Sequence, residues 1–201
     1  MARLVIFDLG GVIVSPEIEL LDCHIADFLH IGILKLRGVT LKYKSSVTRG
    51  EMGLIDMYTR VVDELGVKVE VGVILDRHLK KFIDISANLN RGVLDIIKKI
   101  KPRYKVVALS NAEIETIPIC NKIGIYEPFD SVFLSCELGM AKPESGIYQR
   151  VLGDCKCAPE EAVFIDDKLE NILGAQHLGI KTIHYSHEVD LSNELRVMGV
   201  E

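Results

Sequence analysis

The chain has 201 residues, of which 48% are hydrophobic and 26% charged, a composition typical of a globular protein rather than a disordered or fibrous one. The net charge is -5 at pH 7 and no broad basic stripe is present, so we expect no nucleic acid among its partners. No apolar run reaches the ~18 residues needed to span a bilayer, and the first one is interrupted by Asp8, unlike a signal peptide. The five cysteines have no paired spacing and indicate reduced thiols. We therefore expect a cytoplasmic protein with no membrane partner.

The first predicted element is a buried strand that ends on an acid. Leu4–Phe7 is a short apolar run with β-branched and aromatic residues, typical of a strand covered on both faces. Asp8 follows, and then come Gly10 and Gly11, where a backbone without Cβ can turn sharply and approach a ligand. Ligands of open α/β sheets bind at the carboxyl ends of strands, which makes Asp8 a candidate functional residue. An Asp in this position is also common as a turn or capping residue.

A helical segment of about 70 residues is predicted next. Ser15, Pro16 and Glu17 have the residue types of a helix start. Three apolar stripes at helical spacing follow: Ile18, Leu21, Ile25, Phe28 and Leu29; Leu54, Ile55, Tyr58, Val61, Val62 and Leu65; and Val71, Ile74, Leu75, His78, Leu79 and Phe82. The polar stretch 35–53 has no assignment. His78 lies on an apolar face, which indicates a buried histidine with satisfied hydrogen bonds rather than a ligand.

Helices and strands alternate in the rest of the chain. A helix around 93–100 is predicted to end before Pro102. Strands are predicted at 105–109, 131–134, 162–165 and 181–185, with helices at about 113–123, 143–153 and 169–176 between them. This alternation predicts an α/β fold, with a Rossmann-like three-layer parallel-sheet core and a helical insertion after the first strand. We predict a core domain of residues 1–15 and 89–201 and an inserted domain of residues 16–88.

Polar residues follow the second and third predicted strands. Ser110 and Asn111 come directly after one of them, where a hydroxyl, an amide and backbone N–H groups can bind an anion or cap a helix. Lys142 precedes Pro143, which is predicted to be the first residue of a helix. A lysine in this position is ordinarily a surface residue, unless its charge pairs a nucleophile with an anionic substrate.

Two adjacent acids follow the fourth predicted strand. Asp166 and Asp167 end this buried run, and Asn171 lies one helical turn beyond Asp167. Adjacent carboxylates repel each other, which is costly without a cation. Oxygen ligands of this kind suit Mg²⁺.

Taken in this order, the motifs resemble those of the haloacid dehalogenase superfamily of phosphohydrolases over nearly the full length. They are Phe7-Asp8-Leu9-Gly10-Gly11-Val12, Leu109-Ser110-Asn111, Lys142-Pro143, and Ile165-Asp166-Asp167 with Asn171-Ile172-Leu173-Gly174-Ala175. The resemblance implies that the inserted domain is the α-helical cap of the subgroup that contains the dehalogenases and many small phosphatases. It also implies that Asp8 is the nucleophile and becomes an aspartyl-phosphate.

The same resemblance implies a Mg²⁺ site and a set of residues that bind the oxygens of the phosphoryl group. Asp8, the Gly10 carbonyl and Asp167 would hold the ion, with Asp166 and Asn171 in support. The non-transferring oxygens would be bound by Ser110, by Asn111 through its amide, and by Lys142, which also belongs to the catalytic group. A carboxylate can attack a phosphate dianion only if that charge is neutralised, and Mg²⁺ and a lysine supply the neutralisation.

Gly10 departs from the usual family pattern. Phosphatases of this family usually have a second Asp two residues after the nucleophile, which protonates the leaving alkoxide and later activates water. The resemblance includes relatives with glycine in this position that are thought to act on sugar phosphates, and the dehalogenases of the family also lack the second Asp. We therefore predict a Mg²⁺-dependent phosphatase of a small phosphorylated metabolite, such as a sugar phosphate.

Two alternatives remain open from the sequence. The first is a metal-independent 2-haloacid dehalogenase, in which Arg37 or Arg49 would bind the substrate carboxylate. The second is a non-catalytic protein that senses phosphate or binds a partner through its helical insertion.

Overall fold

The computed structural model describes residues 2–14 and 20–201. Five parallel strands form a sheet in the order β3-β2-β1-β4-β5. They are β1 (Leu4–Phe7), β2 (Lys105–Ser110), β3 (Ser131–Leu134), β4 (Ala162–Asp166) and β5 (Lys181–His184). The central strand β1 therefore lies between β2 and β4, and its Phe7 is in register with Ala108 on one side and Ile165 on the other. The predicted helix start at Ser15, Pro16 and Glu17 lies outside the described residues.

Alternate residues of the strands contribute to two apolar clusters on opposite faces of the sheet. Val5 and Phe7 of β1 pack in one cluster, and Leu4 and Ile6 pack in the other, as the two-residue period of a strand requires. The helices outside the insertion are α5 (Arg91–Ile100), α6 (Ile117–Ile123), α7 (Ser135–Leu138), α8 (Ser145–Cys155), α9 (Leu169–Gln176) and α10 (Leu191–Val197). Residues of α5, α6 and α10 cover one face, and residues of α8 and α9 cover the other. The predicted three-layer Rossmann-like α/β architecture is confirmed.

The helices between β1 and α5 have an apolar cluster of their own. They are α1 (Leu21–Phe28), α2 (Ile33–Thr48), α3 (Leu54–Leu65) and α4 (Val71–Ser86), and we call them the inserted bundle. Buried residues such as Leu36, Leu54 and Ile74 hold the bundle together. Phe82 and Ile85, near the end of α4, instead pack in a cluster of the α/β core. The bundle is thus anchored on the core at the end of α4.

Two predicted helix starts differ from the structure, and two helices were not predicted. Helix α2 occupies most of the polar stretch 35–53 that had no assignment. The helix predicted from Pro143 begins at Ser145, and the one predicted from about Glu113 is a 3-10 turn at Ile114–Thr116 followed by α6. Helix α10 was not predicted. None of the helices in the described ranges has the length and apolar character needed to cross a membrane.

Candidate active site

The carboxyl ends of the three middle strands bring the sequence-predicted residues together. Asp8 follows β1, and its backbone N–H donates to the Ile165 carbonyl at 2.8 Å, so it continues the ladder with β4. Ser110 ends β2 and Asp166 ends β4, the two neighbours of β1. All three side chains are buried, with residue exposures of 6% for Asp8, 9% for Ser110 and 0% for Asp166. Chain direction and strand order therefore place Asp8 at the centre of the group.

Lys142 is the buried cation of this site. Its Nζ donates to Asp8 Oδ1 at 2.7 Å, to Asp166 Oδ2 at 2.7 Å and to the Leu109 carbonyl at 3.0 Å. These three acceptors match the three protons of an ammonium group. Burial alone would lower the pKa of Lys142, but the neighbouring carboxylates of Asp8 and Asp166 outweigh it and raise this pKa. Lys142 thus stays charged although its side chain is only 1% exposed.

The side-chain amide of Asn111 holds the Lys142 backbone in place. It accepts from the Lys142 N–H and donates to the Lys142 carbonyl, each at 2.9 Å. This paired contact holds Lys142 in a turn, which the Glu144 N–H closes by donating to the Ala141 carbonyl at 2.9 Å. The turn accounts for the later start of α8, at Ser145 instead of Pro143. The Asn111 side chain is therefore engaged with the protein.

Asp166 is fixed by donors on every side. Its carboxylate accepts from the Lys168 N–H at 2.8 Å and from Asn171 Nδ2 at 3.0 and 2.9 Å, in addition to Lys142. The backbone of Asn171 is also fixed, because its main-chain carbonyl accepts from the Tyr148 hydroxyl at 2.9 Å. The ammonium and the amide offset the repulsion that two adjacent acids create. Asp166 is therefore placed to orient Lys142 and Asn171.

The carboxylates of Asp8, Asp166 and Asp167 form a cluster in which one oxygen from each lies within 4.8 Å of the other two. Asp167 differs from the other two, because its Oδ1 is buried and has no hydrogen-bond partner in the described part of the chain. A buried oxygen without a partner is costly unless it binds something else. Carboxylate oxygens in this arrangement fit a hard divalent cation such as Mg²⁺.

The pKa values of the cluster reflect its excess of negative charge. Burial raises the pKa of Asp8 to about 7, with Asp166 and Asp167 adding to the increase and Lys142 opposing it. Burial, followed by the charge of Asp166, also raises the pKa of Asp167. A divalent cation would lower both pKa values, because it favours the ionised carboxylates.

The two glycines after Asp8 have different surroundings. Gly11 has φ of +77°, and a Cβ there would lie 2.1 Å from Asp167 Oδ2, so the close approach of the turn to Asp167 requires glycine. The φ of Gly10 lies outside the left-handed region, and a Cβ there would meet nothing within 4 Å. Gly10 is therefore not required by the backbone.

Several contacts between the inserted bundle and the site loops were not predicted from the sequence. Ser135, directly after β3, accepts from the Ala112 N–H at 2.9 Å and donates to the Thr48 carbonyl at 2.5 Å. Glu115 Oε1 accepts from the Leu54 N–H at the start of α3, at 2.8 Å. Ser135 could have been predicted as a residue near the site, because it is a polar residue directly after a strand. Nothing in the sequence indicated its partner or that of Glu115 in the bundle.

Both candidate arginines of the dehalogenase alternative are bound to carboxylates of the chain. Arg49 donates to Glu144 Oε1 through Nε at 3.1 Å and through Nη2 at 2.9 Å. Arg37 Nε donates to Asp22 at 3.1 Å. A substrate carboxylate would have to compete with these acids.

The fold and the site define a family. The model of the haloacid dehalogenase-like hydrolases matches residues 2–179, and the chain belongs to this family. The chain is also similar to a D-ribitol-5-phosphate phosphatase of Bacteroides thetaiotaomicron, with 24% identity over 98% of each chain. A sesquiterpene phosphatase of Aspergillus oryzae is 37% identical over 35% of this chain, a match that spans only 36% of that protein.

Solved structures share the fold. An enzyme of the haloacid dehalogenase (HAD) family from Bacteroides thetaiotaomicron was crystallised as a magnesium complex, and it superposes on this chain with a TM-score of 0.72 at 26% identity. The match covers 97% of this chain and 98% of that chain. This similarity extends over the inserted bundle as well as the α/β core. The family match therefore covers residues 2–179, and the shared fold covers 97% of the chain.

Proposed function

We propose that the protein is a Mg²⁺-dependent phosphatase of a small phosphorylated metabolite, and that Asp8 is its nucleophile. The observation that carries this proposal is the partnerless buried oxygen of Asp167 beside Asp8 and Lys142. The phosphatases among the similar proteins support the same reaction class, and the D-ribitol-5-phosphate phosphatase favours a sugar-phosphate-like substrate.

The residues that would hold the ion are Asp8, Asp167 and the carbonyl of Gly10, with Asp166 and Asn171 in support. The oxygens of Asp166 accept hydrogen bonds from Lys142, Asn171 and the Lys168 N–H. Asp166 would therefore position these neighbouring groups. When bound, Mg²⁺ would neutralise negative charge on the cluster and on the phosphoryl group.

The chain supplies the nucleophile and the grip on the phosphoryl group. One carboxylate oxygen of Asp8 attacks phosphorus, the bond from phosphorus to the substrate oxygen breaks, and an aspartyl-phosphate forms. Ser110 and the backbone N–H of Asn111 would bind the non-transferring oxygens. Lys142, whose three protons go to Asp8, Asp166 and the Leu109 carbonyl, would act on the phosphoryl group through its positive charge. Water then attacks phosphorus, which releases inorganic phosphate and restores Asp8. Because Gly10 has no carboxyl group, the proton for the leaving oxygen comes from solvent.

The inserted bundle would serve as a cap over this site, with residues 16–88 as one domain and 1–15 and 89–201 as the core. Its separate apolar cluster and its contacts with Ser135, Glu115 and Glu144 support this division. The bundle would select the substrate and limit the access of water.

A panel of phosphorylated metabolites, including pentitol, pentose and hexose phosphates, tests the proposal directly. We expect phosphate release with Mg²⁺ and none after addition of a chelator. Halide release from 2-haloacids without metal would overturn the proposal in favour of a dehalogenase. Mg²⁺ binding with no turnover of any substrate would favour the non-catalytic alternative.

Mg²⁺ should also stabilise the fold. A ligand at about 100 times its Kd stabilises the native state by ~2.7 kcal/mol, which corresponds to a rise in Tm of roughly 5–10 °C for a chain of this size. Asp167→Asn should abolish this rise, because it removes the negative charge of Asp167 and replaces one of its two possible ligand oxygens with an NH2 group. Differential scanning calorimetry with and without Mg²⁺ measures both effects. The control is Asp154→Asn, which removes a half-exposed carboxylate paired with Arg150 and should keep the full rise.

The rise in Tm should depend on pH. Without metal, the pKa of Asp8 in the native state is raised to about 7, so the native state binds a proton that the unfolded state has released. The free energy of unfolding therefore decreases as the pH rises from the ordinary carboxyl range through about 7. The ion binds the ionised carboxylates, so its stabilisation should be larger at about pH 8 than at about pH 6. A wild-type Tm that does not respond to Mg²⁺ at either pH would contradict a metal site.

A further inference from the structure

A buried histidine of the inserted bundle contacts the loop that carries the proposed phosphate-binding groups. His78 lies on α4 with a residue exposure of 5%. Its Nε2 lies 3.1 Å from Glu113 Oε2, and its Nδ1 lies 2.8 Å from the Tyr58 hydroxyl on α3. Both ring nitrogens are therefore used, one within the bundle and one across to the core. Glu113 is only three positions beyond Ser110.

The segment 111–113 is held at each of its residues by a different part of the protein. The side chain of Asn111 binds the backbone of Lys142, the Ala112 N–H donates to Ser135 Oγ, and Glu113 binds His78. The first two contacts join the segment to other loops of the core. The third joins it to the bundle through a side chain that has no part in the chemistry.

The charges around His78 favour its protonated form. Burial lowers the pKa of His78, but the charge and hydrogen bond of Glu113, together with smaller contributions from Asp22 on α1 and from Glu115, outweigh it, and the net result is a raised pKa. The facing group from α3 is the hydroxyl of Tyr58, whose pKa burial raises above the ordinary tyrosine value, so this hydroxyl stays neutral. The contact with Glu113 is thus an ion pair that weakens as the pH rises and His78 loses its proton.

We infer that His78 is a positioning residue, which holds the segment 111–113 through Glu113 so that Ser110 and the Asn111 N–H face the phosphoryl oxygens. This role rests on the proposed phosphatase function. Misplacement of a binding group by about 1 Å can cost on the order of 10²-fold in rate. Loss of the contact between His78 and Glu113 therefore reduces kcat/KM by about 10- to 100-fold. The decrease is mainly in kcat, because Ser110 and the Asn111 N–H bind the phosphoryl group that is transferred.

The test uses two variants. His78→Gln retains an N–H donor, now on an amide, but does not titrate. Glu113→Gln retains a hydrogen-bond acceptor but removes the negative charge. In the pH profile of the wild type, kcat/KM should decrease at alkaline pH as His78 deprotonates. This decrease should be absent from the pH profiles of both variants. In a double-mutant cycle the second substitution should add less than the first. The control is His177→Gln, an exposed histidine at the end of α9, and it should keep the wild-type profile.

Hydrogen exchange of the full chain provides a readout that needs no substrate. The protection factor of the Ala112 amide should drop in His78→Gln and in Glu113→Gln, and it should drop in the wild type as the pH rises. Lower Tm with unchanged kcat, pH profile and Ala112 protection would show a purely structural pair and overturn the inference. A wild type inactive on every phosphorylated substrate would refute the proposed function instead, while the exchange data would still decide whether His78 orders the segment.

Discussion

Asp8→Asn is expected to reduce phosphatase turnover by more than about 10⁴-fold while leaving the fold intact. The substitution is nearly isosteric and keeps an Oδ1 that can accept from Lys142, whose Nζ lies 2.7 Å from Asp8 Oδ1 in the wild type. What it removes is the negative oxygen that attacks phosphorus. Burial already disfavours this charge, since it raises the pKa of Asp8 to about 7. The Tm without Mg²⁺ should therefore be equal to or higher than that of the wild type.

The decisive measurement for Asp8 is acid-quenched labelling with a substrate that carries radioactive phosphorus. The wild type should show transient label on the chain, and Asp8→Asn should show none. Asp76→Asn, which removes an exposed carboxylate paired with Lys80 on α4, is the matched control and should label like the wild type. Substantial turnover by pure Asp8→Asn, free of deamidated protein, would rule out Asp8 as the nucleophile.

The strands and the members of the site were predictable because one rule governs both. A short apolar run that ends in a polar residue marks a buried strand and also the edge at which ligands bind. Asp8, Ser110 and Asp166 all follow from this rule, and the structure places them on three adjacent strands. The order of these strands in the sheet is a long-range property, and it was not predicted.

Helix α2 could not be predicted, because its apolar residues do not form one stripe. Leu36, Val39 and Val47 are buried, whereas Leu34 and Leu41 are exposed by 82% and 61%. The periodicity that reveals a helix requires that apolar residues share one face. Helix α2 is stabilised instead by packing within the bundle, which no local pattern records.

The helix start predicted at Pro143 was wrong for a reason that belongs to the site. Pro is favoured in the first turn of a helix, but the side chain of Asn111 binds the Lys142 N–H and carbonyl and holds Lys142 and Pro143 in a separate turn before the helix. The partners lie 31 positions apart. Contacts of this kind, like that between His78 and Glu113, decide local structure from a distance and leave no mark in the local sequence.

Replacement of Gly10 by Asp is expected to increase turnover of alkyl phosphates by as much as about 10²-fold and to change turnover of aryl phosphates little. A positioned general acid contributes ~10² to 10⁴ in rate, and it matters most when the leaving oxygen is a poor leaving group. The turn can accept the side chain, because the φ of Gly10 lies outside the left-handed region and a Cβ there meets nothing within 4 Å. Steady-state kinetics on paired alkyl and aryl phosphates measures the difference.

The neighbouring glycine provides the control for this gain. In Gly11→Asp the new Cβ would lie 2.1 Å from Asp167 Oδ2, at a φ of +77°, so this variant should lose both the Mg²⁺-dependent rise in Tm and the activity. If Gly10→Asp folds, keeps the rise in Tm and still hydrolyses both substrate classes no faster than the wild type, then proton donation to the leaving group does not limit this protein. The wild type would then have to be adapted to substrates whose leaving oxygen needs no acid, such as the anomeric oxygen of a sugar phosphate.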